Sequence, residues 1–197
     1  MKRVAVLVSG GGTNLQALLE SERRGENPDG KIVLVVASKP GVYALERAAN
    51  FGVEGAVVAR KAYADSEAFD AALLETLRSH AIDVVVLAGF LSVLGPSVIA
   101  AYRGRILNVH PSLIPSFCGP GYYGLRVHEA ALARGVKVTG ATVHLVNEEC
   151  DGGPILLQKA VEVRPDDTPE SLQKRVMVEA EWQLLPRALA MVCSEEV

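Results

Sequence analysis

Residues 4–24 read VAVLVSGGGTNLQALLESERR, and this stretch decides the fold. Val4–Val8 is short and apolar at every position. A strand with no polar side is covered on both faces, as in a parallel sheet. Three glycines follow, and then Leu15, Leu18 and Leu19 fall on one face of a helix running to Arg24. Strand, glycine turn and helix form the opening unit of a doubly wound sheet. Such sheets bind ligands beyond the carboxyl ends of their strands.

The alternation continues outward from this unit. Strands are predicted at Lys31–Ser38, Gly55–Ala59, Ile82–Gly89 and Arg105–His110. Helices are predicted at Val42–Gly52 and Ser66–His80, the latter with Ser66 as its N-cap. A short helix covers Val127–Gly135. Lys137–Val146 and Pro154–Val163 are longer strands around an Asp-Gly-Gly-Pro turn, and they read as an antiparallel pair. Thr168 caps a long C-terminal helix with Pro169 at its first position, and Pro186 is expected to kink or break it. The predicted fold class is α/β: a doubly wound, mostly parallel twisted sheet, an antiparallel C-terminal strand pair and a long C-terminal helix, in one domain over residues 1–197.

The 197 residues carry a formal charge of -3 and 49% hydrophobic side chains, with a mean hydropathy of +0.22. Those values fit a globular protein and give no basic surface for nucleic acid. No segment is long and apolar enough to span a bilayer. The apolar start ends at Val8, so it reads as the buried first strand of a cytoplasmic protein rather than a leader peptide. Cys118, Cys150 and Cys193 form no close pair, and His80, His110, His128 and His144 are dispersed, so no metal is expected. His80 and His128 read as helix-surface residues, and His144 as a buried, hydrogen-bonded support residue.

Two loops carry chemistry. In Ser9–Gln16 the glycines let the backbone approach a ligand, and free N–H groups at the helix start favour an anion. No Gly-Lys-Ser/Thr follows, and Leu15 stands where a dinucleotide loop has its third glycine. A single phosphate fits better than a pyrophosphate, although an unliganded tight turn has the same pattern. In NVHPSLIPSFCG (Asn108–Gly119), Asn108 and His110 are two apart in an extended segment and face the same side. An amide donor for an oxyanion beside a proton carrier suits acyl transfer. A lone histidine at a strand end also fits a packing role. Asp151, in the turn EECDGGP, could orient His110 and raise its pKa. Locally it fits an ordinary Asp-Gly turn equally well.

Together, VSGGGTNLQ, LAGFLSVLGP, ILNVHPSLIPSF, TGATVHLVNEECDGGPIL and VEAEWQLLP resemble the folate-dependent glycinamide ribonucleotide formyltransferase family of purine biosynthesis, over nearly the whole chain. The resemblance implies a Rossmann-like formyltransferase fold with 10-formyltetrahydrofolate as co-substrate and no metal. It implies small-molecule substrates, no nucleic-acid or membrane partner, and a monomer or homodimer. It marks Asn108, His110 and Asp151 as the catalytic trio. Gly12, Thr13 and Asn14 would bind the ribonucleotide phosphate, and Gly89, Pro111 and Glu181 would border the same substrate. Leu91, Ser92, Val93, Leu94, Ile99 and the loop Asn147, Glu148, Glu149, Cys150 and Asp151 would form the folate pocket, together with Asn108.

Departures from the family pattern sit at Phe90-Leu91-Ser92, where many relatives have Phe-Met-Arg, and at Ser66, where some have an arginine for the folate tail. Arg60 or Lys61 are candidate substitutes. Residues 116–126 would form a mobile flap. The implied reaction moves a formyl group to the glycinamide amine. Asn108 and protonated His110 would steady the developing oxyanion, and Asp151 would relay the proton. Three rivals differ in expected features. A formyltetrahydrofolate hydrolase would carry an N-terminal regulatory domain, and a methionyl-tRNA formyltransferase a further C-terminal domain. A non-catalytic nucleotide-binding module would have no reason for the trio.

Overall fold

β-Branched side chains pack well on a pleated surface, and the valine-rich runs become the central strands of a single sheet. The computed structural model describes residues 1–196. It contains β1 (Lys2–Val8), β2 (Gly30–Ala37), β3 (Glu54–Val57), β4 (Val84–Leu87), β5 (Ile106–His110), β6 (Val138–Leu145) and β7 (Ile155–Glu162). The sheet order is β3-β2-β1-β4-β5-β6-β7. The first five strands are mutually parallel. β6 runs antiparallel to both β5 and β7. Chain order reverses between β1 and β4, and a crevice opens at that switch point.

The pleat sends alternate residues of β1 to two cores. Val4, Val6 and Val8 pack with α1 (Thr13–Arg23), α2 (Tyr43–Asn50), α6 (Pro169–Val176) and α7 (Trp182–Cys193). Ala5 and Leu7 pack with α3 (Ser66–Ser79) and α4 (Pro96–Ala101) on the opposite face. The short α5 (Leu125–Arg134) follows β5 and packs on α6. Helix α1 begins on left-handed Gly12 with no side-chain cap. A side-chain cap is worth about 1 kcal/mol. Burying Leu15, Leu18 and Leu19 outweighs that, at about 2 kcal/mol per leucine. The helix therefore forms with its first N–H groups left for a ligand.

Two local expectations are corrected. Asp65, not Ser66, caps α3, its carboxylate accepting from the Ala68 N–H at 2.8 Å. An acidic cap also favours the positive end of the helix dipole. Pro186 does not break the C-terminal helix, which is continuous from Pro169 to Cys193. The departure from α geometry is a π-turn at Met177–Glu181, one turn before the proline, where the widened backbone takes up the distortion. The sequence reading also passed over α4, whose six residues are too few for a periodic pattern.

Candidate active site

The cavity at the switch point has a volume of about 930 Å³. Its floor is the carboxyl ends of β1, β4 and β5. Gly10 and Gly11 have open space where a Cβ would stand, whereas a Cβ on Gly12 would lie 2.7 Å from Ala44 Cβ. Gly12 also has φ +74°, so packing and backbone both require glycine there. Arg47 donates to the Gly11 carbonyl at 2.7 Å and to Gln16 Oε1 at 2.9 Å, which fixes the loop from α2. Ser9 ties three loops together. Its hydroxyl bonds Ser38 Oγ at 2.6 Å and accepts from the Leu91 N–H at 2.9 Å, while its own N–H reaches the Gly89 carbonyl at 3.1 Å.

Strand register builds the centre. Asn108 on β5 pairs with His144 on β6, and His110 pairs with Thr142. Asn108 Nδ2 accordingly sits 3.1 Å from His144 Nε2, and it donates to Asp151 Oδ1 at 3.4 Å. His144 Nδ1 is 2.9 Å from the Leu145 carbonyl, which assigns its proton to Nδ1 and leaves Nε2 to accept from Asn108. Asp151 lies between two imidazoles, 3.6 Å from His110 Nδ1 and 3.5 Å from His144 Nε2, and takes the Gly119 N–H at 2.9 Å. His110 Nε2 is 2.8 Å from the Phe117 carbonyl. Thr142 anchors the segment after β5, accepting from the Ile114 N–H at 3.1 Å and donating to the Ser112 carbonyl at 2.7 Å.

Electrostatics at this centre run partly against the sequence expectation. Burial pushes the His110 pKa below its ordinary value, outweighing the bond to Phe117 and the Asp151 charge that raise it. His110 is therefore a neutral imidazole at pH 7, not the charged one that Asp151 was expected to secure. Burial also works against the Asp151 charge, but contact with the His144 ring, the hydrogen bond from the Gly119 N–H and the neighbouring His110 hold that carboxyl below its usual range. Among the described residues no group of three or more His, Cys, Asp or Glu is arranged to hold a metal ion.

The two halves of the cavity differ in character. One, on the α1–α6–α7 side, is polar: the glycine loop, Asn14, Gln173 and Glu181. Asn14 Nδ2 donates to Glu181 Oε2 at 2.8 Å inside the protein, and burial raises the Glu181 pKa against that bond. In a regular α-helix Glu181 would stand roughly 80° around the axis from Gln173. The π-turn between them reduces that angle and brings both to one cavity. The other half, on the α3–α4 side, is apolar. Leu94 and Ile99 are buried in its wall, while Leu91 and Val93 are 65% and 86% exposed at its rim. Large aliphatic side chains left open around a cavity suit a flat aromatic ligand.

The sequence pattern of formyl transferases matches residues 2–189. This chain belongs to the formyl transferase family. It is 42% identical to a glycinamide ribonucleotide transformylase from Symbiobacterium toebii, with a TM-score of 0.93 over 99% of this chain and 89% of that one. A phosphoribosylglycinamide formyltransferase from Bacillus halodurans matches at 38% identity and a TM-score of 0.91, over 100% of this chain and 97% of that one. The chain is also 43% identical to part of the human trifunctional purine biosynthetic protein adenosine-3, over 99% of its own length and 19% of that protein. It spans 14% of the Drosophila melanogaster counterpart at 44% identity.

The fold brings every residue that the resemblance marked as catalytic or substrate-binding to this cavity. Gly12, Thr13, Asn14, Gly89, Pro111 and Glu181 line it, as do Leu91–Leu94, Ile99, Asn108, His110 and Asn147–Asp151. Glu148 is turned partly outward, paired with Arg103. Ser66, Arg60 and Lys61 do not line the cavity. Sequence reasoning missed Gln173, Met177, Tyr122 and Tyr123, and it misplaced His128. His128 is buried and lines the cavity rather than the outer surface of α5. The one signal for it was Val127 and Ala131, apolar neighbours at helical spacing that turn the same side of α5 inward.

Proposed function

We propose that this protein transfers the formyl group of 10-formyltetrahydrofolate to the amine of 5'-phosphoribosylglycinamide, a step of purine biosynthesis. The carrying observation is the position of Asn108, His110 and Asp151, packed together between a polar half with an uncapped helix start and an apolar half with exposed leucine and valine. The ribonucleotide phosphate takes the free N–H groups of Gly12–Asn14, and Glu181 faces its sugar. The folate ring system lies against Leu91, Leu94 and Ile99, with backbone groups of the 147–151 loop on its polar edge.

The folate supplies an activated one-carbon group, and the side chains do the rest. As the amine adds to the formyl carbon, negative charge grows on the formyl oxygen. Asn108 Nδ2 turns from Asp151, its longer bond, to that oxygen. His110 Nδ1, beside Asp151, takes the proton that leaves the amine, and the imidazolium so formed is the second donor. One such donor is worth about 3 kcal/mol. Asp151 then receives that proton from His110 and returns it to the folate nitrogen as the carbon–nitrogen bond breaks. One C–N bond forms, one breaks, and no net proton is consumed.

Absorbance of released tetrahydrofolate, followed with and without the ribonucleotide, tests this reading. Release only in the presence of the amine is expected, falling at least a hundredfold in kcat for His110→Ala and Asp151→Asn. Release without the amine would reassign the chain to hydrolysis, and near-normal transfer by either variant would overturn the mechanism.

A further inference from the structure

His128 is a buried polar side chain in this cavity that the mechanism leaves idle. It is 1% exposed, and neither ring nitrogen has a hydrogen-bond partner. A buried donor and acceptor left unpaired destabilise a fold, and native proteins keep few of them. His128 stands on α5, which packs on α6, so it belongs to the polar half with Gln173 and Glu181. A second orphan is found in that half: Asn14 Oδ1 is buried and unpaired, while its Nδ2 is held by Glu181. Two unpaired groups on the same wall point to a ligand that pairs them.

The chemistry of the ring narrows the ligand atom. Burial, and then the proximity of His110, push the His128 pKa down to about 4. At neutral pH the ring is uncharged, with one N–H to give and one lone pair to receive. A hydroxyl has the matching pattern, since it both accepts and donates. A phosphate only accepts, and the start of α1 already answers it. The amine has to face Asn108 and His110.

We propose that His128 is a substrate-binding residue that hydrogen-bonds a ribose hydroxyl of the ribonucleotide, sharing the sugar's diol with Glu181. This rests on the formyltransferase reading above. Part of the sugar's recognition then depends on α5, the helix that follows the 116–124 segment. Binding the sugar fixes the start of that helix.

Calorimetry without folate tests the assignment, using glycinamide ribonucleotide and its 2'-deoxy and 3'-deoxy forms on the unaltered protein and on His128→Phe. The unaltered protein is expected to bind one deoxy form about tenfold more weakly than the parent. His128→Phe should bind the parent about tenfold more weakly and distinguish that deoxy form by less than about twofold, with the KM for folate unchanged. His128→Met fills a similar space flexibly and carries the same comparison if circular dichroism shows that His128→Phe does not fold. Full discrimination retained by the folded variant overturns the assignment of His128 alone. An unaltered protein that neither binds nor formylates the ribonucleotide overturns the formyltransferase reading instead.

Discussion

Glu181 shows what the proposed binding role costs the fold that carries it. Its carboxyl is buried, and its pKa is raised by that burial. A raised folded pKa contributes stability below the unfolded carboxyl pKa, and that stability is lost as pH rises through the folded pKa. Glutamine keeps an acceptor for Asn14 Nδ2 and removes the buried charge. Glu181→Gln should therefore raise Tm at pH 8 by a few degrees, about 1 kcal/mol at this chain length. The gain should shrink towards pH 4, while ribonucleotide binding weakens about tenfold. Melting curves at both pH values check this, and an unchanged or lower Tm at pH 8 would mean that the carboxylate is not the strained partner. At this scale the sequence was legible where spacing fixes direction. Asn108 and His110 share a side because a strand alternates. Asp151 and His144 were not derivable that way. They meet Asn108 only through the antiparallel register of β5 and β6 and the turn beyond it. The Asp151 assignment came from family resemblance, and His128 was misread although Val127 and Ala131 mark its side of α5 as inward.

Helix α4 depends on a residue from another helix. Asp70 of α3 is buried and accepts from the Gly95 N–H at 3.0 Å and from Ser97 Oγ at 3.2 Å, which caps the start of α4 and sets Leu94 and Ile99 in the cavity wall. A Cβ on Gly95 would lie 2.0 Å from Asp70 Oδ2, so the fit leaves no room for adjustment. Asp70→Ala leaves the Gly95 N–H and the Ser97 hydroxyl without their acceptor and should cost about 2 kcal/mol. The KM for folate should rise several-fold while ribonucleotide binding stays within about twofold. Paired melting and steady-state measurements decide it, and equal effects on the two substrates would contradict the capping account. Long elements were legible because they repeat their pattern. The strands and α1–α3 were located to within a few residues, since apolar periodicity persists across each. The exceptions have local causes: an aspartate one place earlier capped α3, and the π-turn absorbed what Pro186 was expected to break.

For the whole molecule, the sheet divides the work. Its α1–α6–α7 face builds the polar half and its α3–α4 face the apolar half, and β5 carries Asn108 and His110 along the seam. That division was legible as an alternation of strands and helices, but the way the return hairpin closes on β5 was visible only in three dimensions. One contact across the seam sets a condition on turnover. The carbonyl of Phe117, at φ +50°, holds His110 Nε2, so in the proposed reaction the 116–124 segment and an incoming formyl oxygen compete for the same proton. The segment must release it, and the free energy for that exchange has to come from parts of the acceptor that do not react. A minimal acceptor such as free glycinamide presents the same amine without the sugar and phosphate. It should fail mainly in kcat, by a factor of about a hundred or more, even at concentrations that saturate the site. Adding inorganic phosphate with ribose should restore part of the rate. A minimal acceptor that loses only in KM would show that Phe117 yields without help. A loss in kcat means that the hydrogen bond holding His110 to Phe117 also protects the activated one-carbon group from water until the right amine arrives.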